Sequence, residues 1–197
     1  MASAKSASPR SKAASAYVAL LRGINVGGKH SLPMADLAAM FTNAGCTSVR
    51  TYIQSGNVVF SAPRGVDRLA RLLAEQIEAR FGFGVSVVMR TADEFRKVAS
   101  SNPFLRSGAD AETLHVAFLA DAPDKRAIAA LDPKRSPGDA FQVIGREVYL
   151  NLPNGVARTK LTNAYFDSKL ATTSTLRNWR TVLKLVELAR TAGDLSL

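Results

Sequence analysis

The chain predicts a mixed α+β fold made of two split β-α-β units, and three observations carry that prediction. Short apolar runs and helical patterns follow the order strand, helix, strand, strand, helix, strand over residues 17–89. A second series of the same kind begins at Thr113, without clear sequence identity to the first. Between them, Asn102–Ala111 has no apolar periodicity and reads as a loop.

The elements follow in order. Tyr17–Arg22 is an apolar run of strand length. Met34–Asn43 reads as a helix, with Pro33 at its first turn and Gly45 just past its end. Val49–Ile53 and Val58–Ser61 are strands joined by the turn Gln54-Ser55-Gly56-Asn57. Val66, Leu69, Leu72, Leu73, Ile77 and Phe81 recur at helical spacing, so Asp67–Phe81 is amphipathic and stops at Gly82 and Gly84. Val85–Met89 is the fourth strand. This is the ferredoxin-like order. Thr91–Ser100 is a short helix in which Thr91 and Glu94 form a capping-box pattern.

In the second series Thr113–Leu119 reads as a strand and Pro123–Leu131 as a helix. Phe141–Ile144 and Glu147–Leu150 form a hairpin around Gly145-Arg146. Two helices close the chain, near Lys160–Leu170 and Thr175–Thr191. The expectation is two ferredoxin-like subdomains, 17–101 and 112–197, the second degenerate with extra C-terminal helices. Residues 1–16 form a basic tail rich in Ala, Ser and Lys, expected to be disordered.

Composition narrows the function classes. The chain has 197 residues, enough for a substantial core. Its formal net charge of +10 attracts phosphates, nucleic acids or anionic surfaces. No run approaches the ~20 apolar residues of a membrane helix, and the tail lacks the apolar core of a secretory signal. Cys46 is the only cysteine, which excludes an intrachain disulfide and fits a reducing cytoplasm.

Chemistry concentrates in two places. The first is Leu21–Ser31, where Gly23, Gly27, Gly28 and Lys29 lie between a strand and a helix. Glycines let backbone N–H groups face a ligand, and a cation nearby favours an anion. Gly23-x4-Gly28-Lys29 matches the phosphate-loop spacing, but His30 replaces the hydroxyl residue that holds Mg²⁺ and Pro33 delays the helix. A nucleoside triphosphatase is therefore rejected, and a plain tight turn competes equally with an anion site. Gln54, Ser55 and Asn57 add polar groups at one end of the sheet. That segment reads first as a turn, because a split unit is expected to end its first strand away from the start of the third.

The second concentration is C-terminal. Arg158, Lys160, Asn163 and Lys169 precede Arg177, Asn178, Trp179 and Arg180. On the expected last helix Leu176, Trp179, Leu183 and Val186 form the core face, and Arg177, Arg180 and Lys184 a basic stripe. That stripe is a solvated face or a phosphate contact. His115 stands opposite Leu114, Val116 and Phe118 on its strand, and no carboxylate or serine is tied to His30 by spacing. No metal, triad or paired-acid signature occurs, and no cofactor is expected.

ALLRGINVGGKHSLPMADL, TYIQSGNVVFSA, TKLTNAYFDSKL and TLRNWRTVLKL together resemble the bacterial domain-of-unknown-function family 1697, over about residues 17–190. The resemblance implies an α+β fold of two subdomains and a bacterial source, and no activity. Its blocks include Arg22, Gly23, Asn25, Gly27, Gly28 and Lys29, then Gln54 to Asn57, then Lys160, Arg177, Asn178, Trp179 and Thr181.

The resulting expectation is a site for a phosphorylated or other anionic small molecule. Arg22, Asn25, Gly27, Gly28 and Lys29 form its floor, and Lys160, Arg177 and Asn178 close it. No nucleophile or base can be assigned. The alternatives are a salt-dependent nucleic-acid-binding protein with few aromatics to stack on, namely Tyr17, Tyr52, Phe60 and Tyr149, or an interaction scaffold without a ligand site.

Overall fold

The computed structural model describes residues 14–62 and 66–194. The first half comprises β1 (Ser15–Leu21), α1 (Met34–Asn43), β2 (Thr47–Tyr52), β3 (Asn57–Ala62), α2 (Asp67–Phe81), β4 (Val87–Thr91) and α3 (Ala92–Ser100). A short helix, α4 (Pro103–Arg106), lies in the connection that was expected to be a loop. The second half comprises β5 (Leu114–Leu119), α5 (Lys125–Ala129), β6 (Ala140–Ile144), β7 (Glu147–Asn151), α6 (Asn163–Leu170), β8 (Ser174–Asn178) and α7 (Trp179–Asp194). Strand β1 takes up Ser15 and Ala16, which were expected in the tail. The expected disorder of residues 1–13 lies outside the described residues.

The result is an α+β protein with two four-stranded antiparallel sheets, ordered β2-β3-β1-β4 and β6-β7-β5-β8. The two sheets share register. Val18 stands opposite Arg90 in the first, and Val116 opposite Arg177 in the second. Leu20 stands opposite Asn57, and Phe118 opposite Glu147. Every central position of one half therefore has a counterpart in the other.

The largest difference from the sequence reading is at the C-terminus. Residues 174–178 are the edge strand β8, and the last helix begins only at Trp179. Leu176 and Trp179 suit a helical stripe, so the apolar spacing conceals the boundary. Asn178 marks it, because its Oδ1 accepts the Thr181 N–H at 2.8 Å as an N-cap does. Likewise Thr91 and Glu94 form the full capping box that opens α3 after the edge strand β4.

Alternation along the strands sorts residues into layers. Ala16, Val18 and Leu20 of β1 share one core with Leu114, Val116 and Phe118 of β5, Phe95 and Val98 of α3, and Trp179, Val182 and Leu185 of α7. Helices α3 and α7 thus bind the inner faces of both sheets. Tyr17, Ala19 and Leu21 face the other way, against Leu37 and Phe41 of α1 and Leu73 and Ile77 of α2. Ala117 and Leu119 pack likewise with Tyr165 and Phe166 of α6. Each sheet is covered on both faces.

His115 lies on that outer face of β5, 8% exposed, with Nδ1 3.1 Å from the Thr113 carbonyl. Burial pushes its pKa below the usual 6.5, and the Thr113 bond opposes the shift only in part. The unfolded chain therefore binds this proton more readily than the folded one. The stability it contributes is complete above pH 6.5 and lost as pH falls through the lowered folded value. Urea unfolding of the wild type is expected to show a falling midpoint below pH 6.5. His115→Gln should flatten that slope; an unchanged slope would assign it to other groups.

Candidate functional site

The glycine segment after β1 folds as a small hairpin flap. Val26 and Lys29 pair as an isolated bridge, with Lys29 donating to the Val26 carbonyl at 3.0 Å. Gly27 and Gly28 make the tip at φ 58° and 74°, successive left-handed residues that a two-residue hairpin loop requires. Below the tip, the Asn25 N–H donates to the His30 carbonyl at 3.0 Å. The glycines therefore make a projecting turn rather than a strand-to-helix cradle, and Gly27, Gly28 and Lys29 are exposed at its end.

Asn25 was expected to touch the ligand, but its side chain is fully used in holding the flap. Its Oδ1 accepts the Leu32 N–H at 2.8 Å, and its Nδ2 donates to the carbonyls of Leu32 at 3.0 Å and Gln54 at 2.9 Å. The last bond ties the flap to the β2–β3 turn. The expected separation of these segments is thus corrected: β1 and β3 are antiparallel neighbours, so the end of one adjoins the start of the other. His30, at φ 53°, stacks on Phe83 with ring centres 4.7 Å apart.

The turn is itself strained. Ile53 has φ 49°, a left-handed conformation that a β-branched residue adopts at a cost of ~1–3 kcal/mol. Asn57, fully buried, holds the turn by donating from Nδ2 to the Tyr52 carbonyl at 3.1 Å and Ser55 Oγ at 2.9 Å. Ile53 nevertheless stays half exposed, next to exposed Gln54. Val26 on the flap is 66% exposed. An apolar pair, Lys29 and the glycine tip therefore occupy the loops at one end of the first sheet.

Arg177 was expected on a basic helix face, closing the site. It lies instead on β8, 8% exposed, and reaches into the first half. Nε donates to Asn57 Oδ1 at 2.6 Å, and Nη2 to the carbonyls of Leu21 at 2.6 Å and Ser55 at 3.1 Å. Nη1 donates to Thr175 Oγ1 and the Leu176 carbonyl, both at 2.8 Å. All five N–H groups are used, so Arg177 has none left for an anion. Desolvation pushes its pKa down to about 10, which leaves it charged near neutrality.

Arg22 is also committed. It forms an ion pair with Asp167 of α6 and donates to the Ser174 carbonyl at 3.3 Å. Lys160 is exposed and is bonded through its backbone N–H to Ser136 Oγ at 3.0 Å, within the second half. Asn178 caps α7. The expected convergence of these groups on one anion is therefore not what joins the halves. Hydrogen bonds from Arg22 and Arg177 to the protein itself do so, and Ser55 contributes its carbonyl.

The shared register exposes a second arginine that the sequence reading missed. Arg90 occupies on β4 the place of Arg177 on β8 and reaches the opposite way. Its Nε donates to Glu147 Oε1 at 2.9 Å, where Glu147 stands in the position of Asn57. Its Nη2 donates to the carbonyls of Leu119, the counterpart of Leu21, at 2.6 Å and of Arg146 at 3.1 Å. Its Nη1 donates to the carbonyl before it, Met89, at 2.9 Å. Each half thus inserts an edge-strand arginine into the strand end and hairpin of the other. The available signal was the pair MRT and LRN, each an arginine one residue before a helix N-cap.

Among the described residues no group of three or more His, Cys, Asp or Glu side chains could hold a metal ion, and no helix is long and apolar enough to cross a membrane. A family model described as "Protein of unknown function (DUF1697)" matches residues 14–149. The conserved bacterial protein SP0830 from Streptococcus pneumoniae superposes with a TM-score of 0.71 at 24% identity, over 90% of this chain and 99% of that one. That likeness is one of fold. A search of curated proteins found no match to the chain.

Proposed function

The chain belongs to the DUF1697 family of proteins of unknown function, and from that premise we propose that it is a binding protein for an anionic small molecule, which docks against the flap tip Val26–Lys29 and the turn Ile53–Gln54. We read each half as a ferredoxin-like split unit, 17–101 and 112–197, joined through the central core and the two crossed arginines. The observation that carries the reading is the state of these two loops. Asn25 and Asn57 pin them by side-chain hydrogen bonds, with strain kept at a half-exposed Ile53. Strain retained in this way favours a binding role over a connecting one.

Lys29 supplies the charge and the glycine tip offers backbone N–H groups without side-chain obstruction. Gln54 and the apolar pair Val26 and Ile53 would position the rest of the ligand. Arg22, Arg177, Asn25 and Asn57 act as the frame. The net charge of +10 attracts such a ligand over long range.

The same exposed apolar pair favours a second reading, an interaction surface for a protein partner. A nucleic-acid platform has less support. Tyr17, Phe60 and Tyr149 are buried, Tyr52 is half-buried against the central core, and both faces of each sheet are covered, so among the described residues the sheets offer bases no open aromatic face.

Thermal-shift titration with inorganic phosphate, ATP, glucose 6-phosphate and citrate tests the proposal. A ligand at ~100 times its dissociation constant adds about 2.7 kcal/mol of stability. Lys29→Glu, on an exposed tip, should abolish the shift and leave the ligand-free melting temperature unchanged. If no member of the panel raises the melting temperature, or if Lys29→Glu responds as the wild type does, the proposal fails.

A further inference from the structure

The two crossed arginines are equivalent in register but not in satisfaction. Arg177 fills all five N–H groups, and the fifth acceptor is the Thr175 hydroxyl. The residue that stands in the place of Thr175 on β4 is Val88, because Thr175 pairs with Phe118 and Val88 with Leu20 in matching positions. Valine cannot accept a hydrogen bond. Among the described residues Arg90 accordingly has four bonds, and one N–H on Nη1 has no protein acceptor. The side chain is 1% exposed. A buried guanidinium N–H without an acceptor is costly.

Arg90 and Val88 both line a cleft of about 480 Å³ along the outer edge of β4. That volume suits a small molecule. Tyr17, Val66 and Ala70 give the cleft an apolar wall. Arg146, Glu94 and Asp121 also line it. Arg146 donates to Glu94 at 2.6 Å, and Arg90 is paired with Glu147. The two guanidinium charges are thus already balanced, and Asp121 adds a further negative charge on an exposed side chain. A dianion would meet net repulsion here. A molecule with one carboxylate, one ammonium and an apolar body would not.

We infer that this cleft binds an α-amino acid with an apolar side chain. Its carboxylate accepts the remaining Arg90 N–H together with a donor of Arg146, its ammonium group faces Asp121, and its side chain lies on the Tyr17–Val66–Ala70 wall. The site is separate from the flap and does not depend on the anion proposed there.

The test is calorimetric titration with L-leucine, alongside 4-methylpentanoate, which lacks the ammonium group, and isoamylamine, which lacks the carboxylate. Leucine is expected to bind, and each analogue to bind at least tenfold more weakly. Val88→Thr gives Arg90 the internal acceptor that Thr175 gives Arg177, and should weaken leucine binding about tenfold, the size of one charged hydrogen bond. Asp121→Asn, at an exposed position, should weaken leucine but not 4-methylpentanoate. Lys29→Glu should bind leucine as the wild type does, which separates this site from the flap. The inference is overturned if leucine does not bind, if 4-methylpentanoate binds as tightly as leucine, if both Val88→Thr and Asp121→Asn retain wild-type affinity, or if Lys29→Glu abolishes leucine binding.

Discussion

Arg177→Lys is expected to destabilise the protein by about 2–6 kcal/mol, the cost of leaving at least two buried acceptors without a donor. The substitution keeps the charge, so the loss isolates the geometry. A lysine offers three donors on a single nitrogen, whereas Arg177 serves Asn57 Oδ1, Thr175 Oγ1 and the carbonyls of Leu21, Ser55 and Leu176. At least two of those acceptors would be stranded in a junction from which water is excluded, at ~1–3 kcal/mol each. The Leu21 carbonyl and the turn at Ser55 are both tied to β8 by this side chain. Urea unfolding followed by circular dichroism measures the change. A variant within about 1 kcal/mol of the wild type would mean that the five bonds merely replace hydration that the open junction would supply.

Local pattern made much of the fold legible. The helices Met34–Asn43 and Asp67–Phe81 are recovered at their expected bounds, because apolar spacing, Pro33 and Gly82 act within a few residues of one another. The capping box at Thr91 is local in the same sense. Strand β8 was hidden because Leu176 and Trp179 continue a helical spacing, and only the cap at Asn178 divides them.

The site was legible in its residues but not in their roles. Arg22, Asn25 and Arg177 gather around the end of β1, and so does Asn57, which the sequence pattern had set apart from it. A sequence shows that arginine is charged, but not whether its charge meets a ligand or a carbonyl. Arg177 and Asn57 are 120 positions apart in the chain, and their bond depends on how the two halves pack. The glycine pattern carried a related ambiguity. Left-handed residues serve a strand-to-helix cradle and a hairpin tip equally well, and the bridge between Val26 and Lys29 selects the second. Arg90 was overlooked because its equivalence to Arg177 lies in sheet register rather than in sequence identity.

Gly56→Ala is expected to be as damaging as the loss of Arg177, and for a different physical reason. Gly56 has φ 73°, and a Cβ at that position would lie 2.7 Å from Leu21 Cβ and 2.9 Å from Ile24 Cδ1. The first of these cannot be relieved by a side-chain rotation, because a Cβ moves only with its backbone. The Leu21 backbone is held on both sides: its N–H donates to the Gly56 carbonyl at 2.8 Å, and its carbonyl accepts from Arg177. Relief of the clash would therefore pull β1 away from both. The conformational penalty alone is about 1 kcal/mol, and overpacking adds a further ~1–3 kcal/mol. Gly27 provides the control, since at φ 58° nothing lies within 4 Å of an added Cβ. Gly27→Ala should cost about 1 kcal/mol, whereas Gly56→Ala should cost at least ~2 kcal/mol in the same urea titration or prevent soluble expression. Equal losses at the two positions would show that the left-handed backbone, and not close packing at the end of β1, is what requires glycine in the turn.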